Sequence, residues 1–166
     1  MAQVTLHGSP VETNGDLPAV GSTAPDFQLV DGELNEVKLS DFAGKKKVLS
    51  IVPSLDTPTC ATSTKVFNER LGGRDDVVVL VASADLPFAQ GRFCQAEGTA
   101  DVKTLSMMHS RNFAKDYGML IVDGPLAGIT ARAALVLDEN NKVLHAELVG
   151  EIGDEPDYEA AIAALG

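Results

Sequence analysis

The chain has 166 residues, of which 45% are hydrophobic, 22% charged and only 5% aromatic, a composition that excludes a disordered, collagenous or cysteine-scaffold chain. That length fits one domain spanning residues 1–166 and buries roughly 70% of the unfolded surface, so folding needs no disulfide or metal staple. Thirteen Lys and Arg against 24 Asp and Glu leave a net charge of −11, which phosphates and anionic lipid surfaces repel, so generic nucleic-acid or membrane binding is excluded.

In chain order, residues 3–12 alternate through Val4, Leu6 and Val11 across a Gly8-Ser9-Pro10 turn and predict a small N-terminal hairpin. The opening Met1-Ala2-Gln3-Val4-Thr5-Leu6-His7 has neither a basic nor a long apolar segment, and this absence of a secretory signal predicts a cytoplasmic protein. Residues 14–25 read as loop, and residues 27–30 and 36–39 as a second hairpin around Asp31-Gly32. Residues 47–52 and 77–84 are apolar, β-branched runs of the kind found in strands buried on both faces. The unbroken apolar run from Val77 to Ala82 is far short of the ~20 residues that a membrane helix needs. Between these strands, residues 60–71 have helical spacing (Val66, Phe67, Leu71) and stop at Gly72-Gly73. Asp85 reads as the cap of a helix over 86–97 that ends at Gly98. A strand over 102–106 and a short helix over 112–117 follow. Residues 132–137 and 142–148 flank an Asp138-Glu139-Asn140-Asn141 turn, and an Ala-rich helix over 157–165 closes the chain. The pattern predicts an α/β protein with a central mixed sheet and helices on both faces, similar to a thioredoxin-like fold with an N-terminal β-hairpin extension.

The segment Pro53-Ser54-Leu55-Asp56-Thr57-Pro58-Thr59-Cys60 joins a strand to a helix, and open α/β sheets place their ligand sites at such carboxyl ends. Thr57 and Pro58 read as N-cap and N1, because a Thr oxygen accepts orphan amide hydrogens and Pro has none to orphan. Cys60 then falls at N3, where free N–H groups and the positive end of the helix dipole favour a thiolate. Asp56 opposes that ionisation, so a further cation is expected in the pocket. The alternative is a buried structural cysteine, since free Cys is among the most buried residue types. In a reducing compartment two cysteines are more often buried, metal-bound or reactive than permanently bridged. Cys60 and Cys94 are 34 positions apart, which is no CxxC pair, and His7, His109 and His145 show no ligand spacing, so no metal is expected.

The pattern Pro53-x-x-x-Thr57-x-x-Cys60 resembles the active-site motif of the peroxiredoxins, and Pro-Ser-Leu-Asp-Thr-Pro-Thr-Cys-Ala-Thr-Ser resembles their thiol peroxidase branch, of the atypical two-cysteine type. The likeness runs over essentially the whole chain, through Val-Thr-Leu-His-Gly near the start, Gly21-Ser-Thr-Ala-Pro-Asp-Phe27, Asp123-Gly-Pro-Leu-Ala-Gly128 and Ala131-Arg132-Ala133. It implies that Cys60 is the peroxidatic cysteine and that Thr57 bonds the hydroperoxide. It implies that Pro53 shields the sulfur from water and that Arg132 supplies the missing cation. Taken alone, a strand arginine is a surface charge, although Ala131, Ala133, Ala134 and Leu135 make an apolar setting for this one.

By position Cys94 reads as a small core residue beside Phe88 and Phe93. The resemblance instead implies a resolving cysteine that closes an intramolecular disulfide with Cys60. In the chain-entropy model that loop is worth roughly 3.5–4 kcal/mol. Such a bond needs Cα atoms within about 7 Å, so local unwinding is expected, and Gly91 weakens the second helix. The family further implies alkyl hydroperoxides and hydrogen peroxide as substrates, no cofactor, thioredoxin as reductant, and a homodimer to which Arg111 and residues 58–63 contribute. Met107-Met108 reads as core filling before a substrate groove. Three other readings are a thiol–disulfide oxidoreductase, against which Thr57 stands where a CxxC motif has its first cysteine, a peroxide sensor, and a catalytically silent thioredoxin-like binding module.

Overall fold

The computed structural model describes residues 1–166. Its elements are β1 (Gln3–Leu6), β2 (Ser9–Glu12), β3 (Gln28–Val30), β4 (Glu36–Lys38), a 3-10 turn (Leu39–Phe42), β5 (Lys46–Ile51), α1 (Pro58–Leu71), β6 (Val77–Ser83), α2 (Pro87–Glu97), β7 (Lys103–Ser106), α3 (Asn112–Asp116), β8 (Ala133–Leu137), β9 (Val143–Leu148) and α4 (Tyr158–Leu165). Strands β3 to β9 form one seven-stranded sheet in the order β4-β3-β7-β6-β5-β8-β9, and β1 and β2 form a separate hairpin. The pairs β5–β6 and β6–β7 are parallel and the rest antiparallel, so the sheet is mixed.

The apolar runs form the middle strands because both faces of the sheet are covered. Val79, Val48 and Val136 lie in one cross-strand row, and they pack with Phe67 and Leu71 of α1 and with Ala161 and Leu165 of α4. The next row, Leu80, Leu49 and Leu135, points the other way into a larger cluster with Phe27, Phe113, Tyr117 and Met119. The strand period of two assigns these rows to opposite faces. Each fully buried side chain of this size contributes about 1.5–3 kcal/mol. Met107 is in the second cluster, as core filling requires. Helix α2 lies beside α1, joined to it by the Lys65–Glu97 ion pair at 2.8 Å, and Phe93 and Cys94 pack against the first cluster. This is the thioredoxin-like architecture expected, with an N-terminal hairpin. No helix is long and apolar enough to cross a membrane.

Some local expectations need correction. The first hairpin turns at His7-Gly8, both at positive φ (50° and 81°), as a two-residue hairpin turn demands. Ser9 and Pro10 therefore belong to β2. The stop after α1 is not a left-handed glycine cap. Gly72 has φ −62°, and its lack of a side chain matters because a Cβ there would collide with the Asn68 carbonyl and the Asp101 side chain. Asp85 does not cap α2: the N-cap is Leu86 without a side-chain bond, and the Asp85 carboxylate is engaged elsewhere. The left-handed Gly98 does end that helix (φ 67°). Arg132 lies immediately before β8 instead of inside it.

Candidate active site

Strand β5 delivers the chain at Val52 into the loop 53–57, and α1 starts at Pro58. Pro53 is buried, Asp56 and Thr57 are exposed, and Cys60 is wholly inaccessible at 0%. Thr57 is the N-cap and Pro58 is N1, so Cys60 is at N3, where amides have no partner within the helix. The Thr57 side chain does not cap, contrary to expectation. Its hydroxyl donates to the Ser54 carbonyl at 2.9 Å, which spends its hydrogen and leaves both lone pairs as acceptors. Asp56 points its charge into solvent, which weakens its opposition to a thiolate. The Cys60 carbonyl accepts from Ser63 Oγ at 3.1 Å and from Thr64 Oγ1 at 2.9 Å, fixing the first turn from inside.

The antiparallel register pairs Ile51 with Ala133, so one step further Arg132 stands opposite Val52 at the mouth of the loop. Thr130 Oγ1 donates to the Val52 carbonyl at 3.1 Å and ties this end of the sheet together. Arg132 is 2% exposed. Its Nε donates to the Ile152 carbonyl at 3.0 Å, while Nη1 is buried without a partner. A buried cation with an idle donor is suited to holding an anion, since a bound anion recovers the free energy that an unsatisfied buried donor costs. Its charge also reaches Tyr158, whose ring packs edge-on against Phe67 of α1 at 5.2 Å. Burial, followed by the hydrogen bond to Glu155, pushes the Tyr158 phenol well above its ordinary range, so it stays neutral. Phe67 is seven residues after Cys60 on the same helix face.

Sequence reading missed Asp85, which locks the loop. Its carboxylate accepts from Ser54 Oγ at 2.6 Å, Leu55 N at 2.7 Å and Ser83 Oγ at 2.7 Å. Ser83 Oγ also accepts from Gln90 Nε2 of α2 at 3.0 Å, so a polar chain runs from the loop to the second helix. Only the acidic residue before α2 signalled Asp85, and helix-cap logic assigned it to the wrong partner. Tyr158 gave no signal beyond being aromatic at a helix start.

The structure thus gathers Pro53, Thr57, Cys60 and Arg132 at one end of the sheet. Cys94 is separate: it is half-buried on α2, and both cysteines are free thiols. Cys94 packs against the buried cluster that contains Cys60, and with Gly91 it lines a pocket bounded by Glu33, Lys103 and Thr104. A cleft of about 490 Å³ separates the loop at Ser54, Leu55 and Asp56 from Arg92 and Phe93 of α2.

Residues 19–162 match the Redoxin family. Over all 166 residues the chain is 51% identical to the thiol peroxidase of Mycobacterium bovis, covering 100% of this chain and 99% of that one. Among solved structures, a peroxiredoxin-like protein from Aquifex aeolicus superposes with a TM-score of 0.93 at 40% identity, over 99% of this chain and 96% of that one. A thiol peroxidase from Chromobacterium violaceum gives 0.88 at 26% identity, over 98% and 94%. A buried helix-start thiol and a buried guanidinium with an idle donor at the same end of the sheet accord with the fold and sequence shared with these proteins, and the chain belongs to the peroxiredoxins, in their thiol peroxidase branch, and is a thiol-dependent peroxidase.

Proposed function

We propose that Cys60 is the peroxidatic cysteine and that the idle Nη1 of Arg132 faces the charge the reaction develops. The buried guanidinium at the loop mouth, whose Nη1 has no partner, carries this reading. The Cys60 thiolate attacks the terminal oxygen of a hydroperoxide. An S–O bond forms as the O–O bond breaks, giving a sulfenic acid and an alkoxide that takes a proton and leaves as alcohol, or as water from hydrogen peroxide. Arg132 stabilises the thiolate and then the departing oxygen. Thr57, whose hydrogen is committed to Ser54, accepts the peroxide O–H and aligns the O–O bond with the sulfur. Buried Pro53 keeps water from the sulfenic acid.

Cys94 is the resolving cysteine: its thiolate attacks the sulfenic sulfur, forms an intramolecular disulfide and releases hydroxide, which becomes water. Its half-buried position on α2, packed against the cluster that contains Cys60, supports this role, and some of α2 unwinds to bring the sulfurs together. Thioredoxin returns the disulfide to two thiols. Alkyl hydroperoxides are the substrates alongside hydrogen peroxide, the apolar part of an alkyl chain lying against Leu55 and Phe93. The active form is a cytoplasmic homodimer, for which exposed Leu86 and Phe88 beside the loop offer apolar surface.

The test is intact mass with peptide mapping after reduced protein receives one equivalent of cumene hydroperoxide; the chain has no Trp to report by fluorescence. Loss of two hydrogens with a Cys60–Cys94 link is expected. An oxygen adduct on Cys60 without a link removes Cys94 from the mechanism, and an unmodified protein overturns the assignment of Cys60.

A further inference from the structure

Arg132 has no carboxylate to aim it. Its one side-chain hydrogen bond goes to a main-chain carbonyl, that of Ile152, so its direction is set by where the loop after β9 holds that carbonyl. The next carbonyl, of Gly153, accepts from Thr59 Oγ1 at 2.8 Å, and Thr59 is the residue before Cys60. One short loop therefore touches both the cation and the start of α1.

The N-terminal hairpin holds that loop in place. Main-chain bonds run from Thr5 N to the Gly150 carbonyl and from Ile152 N to the Thr5 carbonyl, both at 2.8 Å. Between them the Glu151 carboxylate accepts four more. Thr5 Oγ1 donates at 2.6 Å and Gly8 N at 3.1 Å to Oε2, while His7 N at 3.0 Å and Gly153 N at 3.2 Å donate to Oε1. One side chain thus bridges two segments more than 140 residues apart in sequence and bonds the loop's own Gly153. These bonds, Thr5 foremost, hold the carboxyl down to about 2, so it is ionised across the neutral range.

We infer that Glu151 is a positioning residue for peroxide reduction: by clamping the N-terminal hairpin onto residues 150–153 it fixes the Ile152 carbonyl that aims Arg132 and the Gly153 carbonyl that anchors Thr59. The inference rests on Arg132 being the cation that faces Cys60. It gives the hairpin extension a task in the chemistry, although Glu151 itself touches no reacting atom.

The sign of a titration separates this role from a purely structural one. Replacing Glu151 by Gln removes a negative charge, which by itself moves a nearby thiol midpoint down. Loss of the Arg132 aim moves it up. In a Cys94→Ser background, the pH dependence of iodoacetamide alkylation of Cys60 reads that midpoint. Glu151→Gln is expected to raise it by about 0.5–1 unit and to slow the reaction with cumene hydroperoxide about 10-fold. Thr5→Val, which removes the hydroxyl shared between Glu151 Oε2 and the Gly150 carbonyl and leaves every charge, is expected to shift both in the same direction by less. It decides the matter if Glu151→Gln fails to fold, as judged by circular dichroism. An unchanged or lowered midpoint in folded variants overturns the proposal. Arg132→Met in the same background is the reference. If it moves the midpoint while neither clamp variant does, only the coupling falls. If it does not move the midpoint, the assignment of Arg132 falls and takes the proposal with it.

Discussion

The Thr57 hydroxyl and the Asp85 carboxylate, both bonded to the loop before α1, separate chemistry from scaffolding at the scale of single residues. The Thr57 hydrogen is spent on Ser54, so what the side chain offers a peroxide is a lone pair. Thr57→Val removes that acceptor and keeps the shape, whereas Thr57→Ser keeps the acceptor. Stopped-flow peroxide consumption is expected to fall about 10²-fold in Thr57→Val and to stay within a few-fold of wild type in Thr57→Ser. Equal loss in both would return Thr57 to a packing role. Asp85 works differently, because its three bonds hold the loop and none reaches the sulfur. Asp85→Ala leaves Ser54, Ser83 and the Leu55 amide without their acceptor, at a cost of about 2–3 kcal/mol. Urea denaturation checks that figure, and full stability would mean that water replaces the carboxylate.

The second helix carries the argument at the scale of elements. Resolution requires α2 to yield, and this helix is built to do so: Leu86 gives no side-chain cap, and Gly91 stands in its interior. A Cβ at Gly91 meets nothing within 4 Å, so Gly91→Ala acts only on helix propensity. It is expected to stabilise α2 by about 0.5–1 kcal/mol. If unwinding precedes attack, disulfide formation after a peroxide pulse slows by up to about 5-fold, since each 1.4 kcal/mol is a factor of ten, while sulfenic acid formation is unaffected. Quench-flow alkylation with mass analysis follows both steps, and an unaltered second step would place the opening outside α2. How legible each element was follows from the range of the forces that make it. The strands β5, β6 and β8 were readable because local apolar runs decide them. Helix α1 was readable from its Thr-Pro start, down to Cys60 at N3. The side-chain partners of Thr57 and Asp85 were not, because local capping rules favour a nearby amide, whereas tertiary contact supplied Ser54 to one and Ser54, Leu55 and Ser83 to the other.

At the scale of the whole molecule, the clamp at Glu151 joins the first residues of the chain to the loop before α4, a contact no sequence window spans. The same long range makes it a pH-sensitive joint. A carboxyl held lower in the folded chain than in the unfolded one binds fewer protons when folded, so its contribution is complete above its ordinary value of 4.5 and is lost as the pH falls through about 2. Glu159, bonded to Arg70, and Asp76, bonded to Arg74, are also held low and add to the acid sensitivity. Against them works the net charge of −11, whose self-repulsion relaxes as carboxylates protonate. Global stability therefore mixes opposing trends, and a local reading is needed. Amide hydrogen exchange between pH 4.5 and 2, with β1 and β2 scaled to β5 and β6 at each pH, isolates the joint. Wild-type β1 and β2 are expected to lose protection relative to the central strands across that window. In Glu151→Gln the loss is already present at pH 7, and acid adds no further relative change. A hairpin that stays as protected as the core in acid would mean that the main-chain bonds of Thr5 suffice to hold it. Arg132 would then be aimed without the carboxylate.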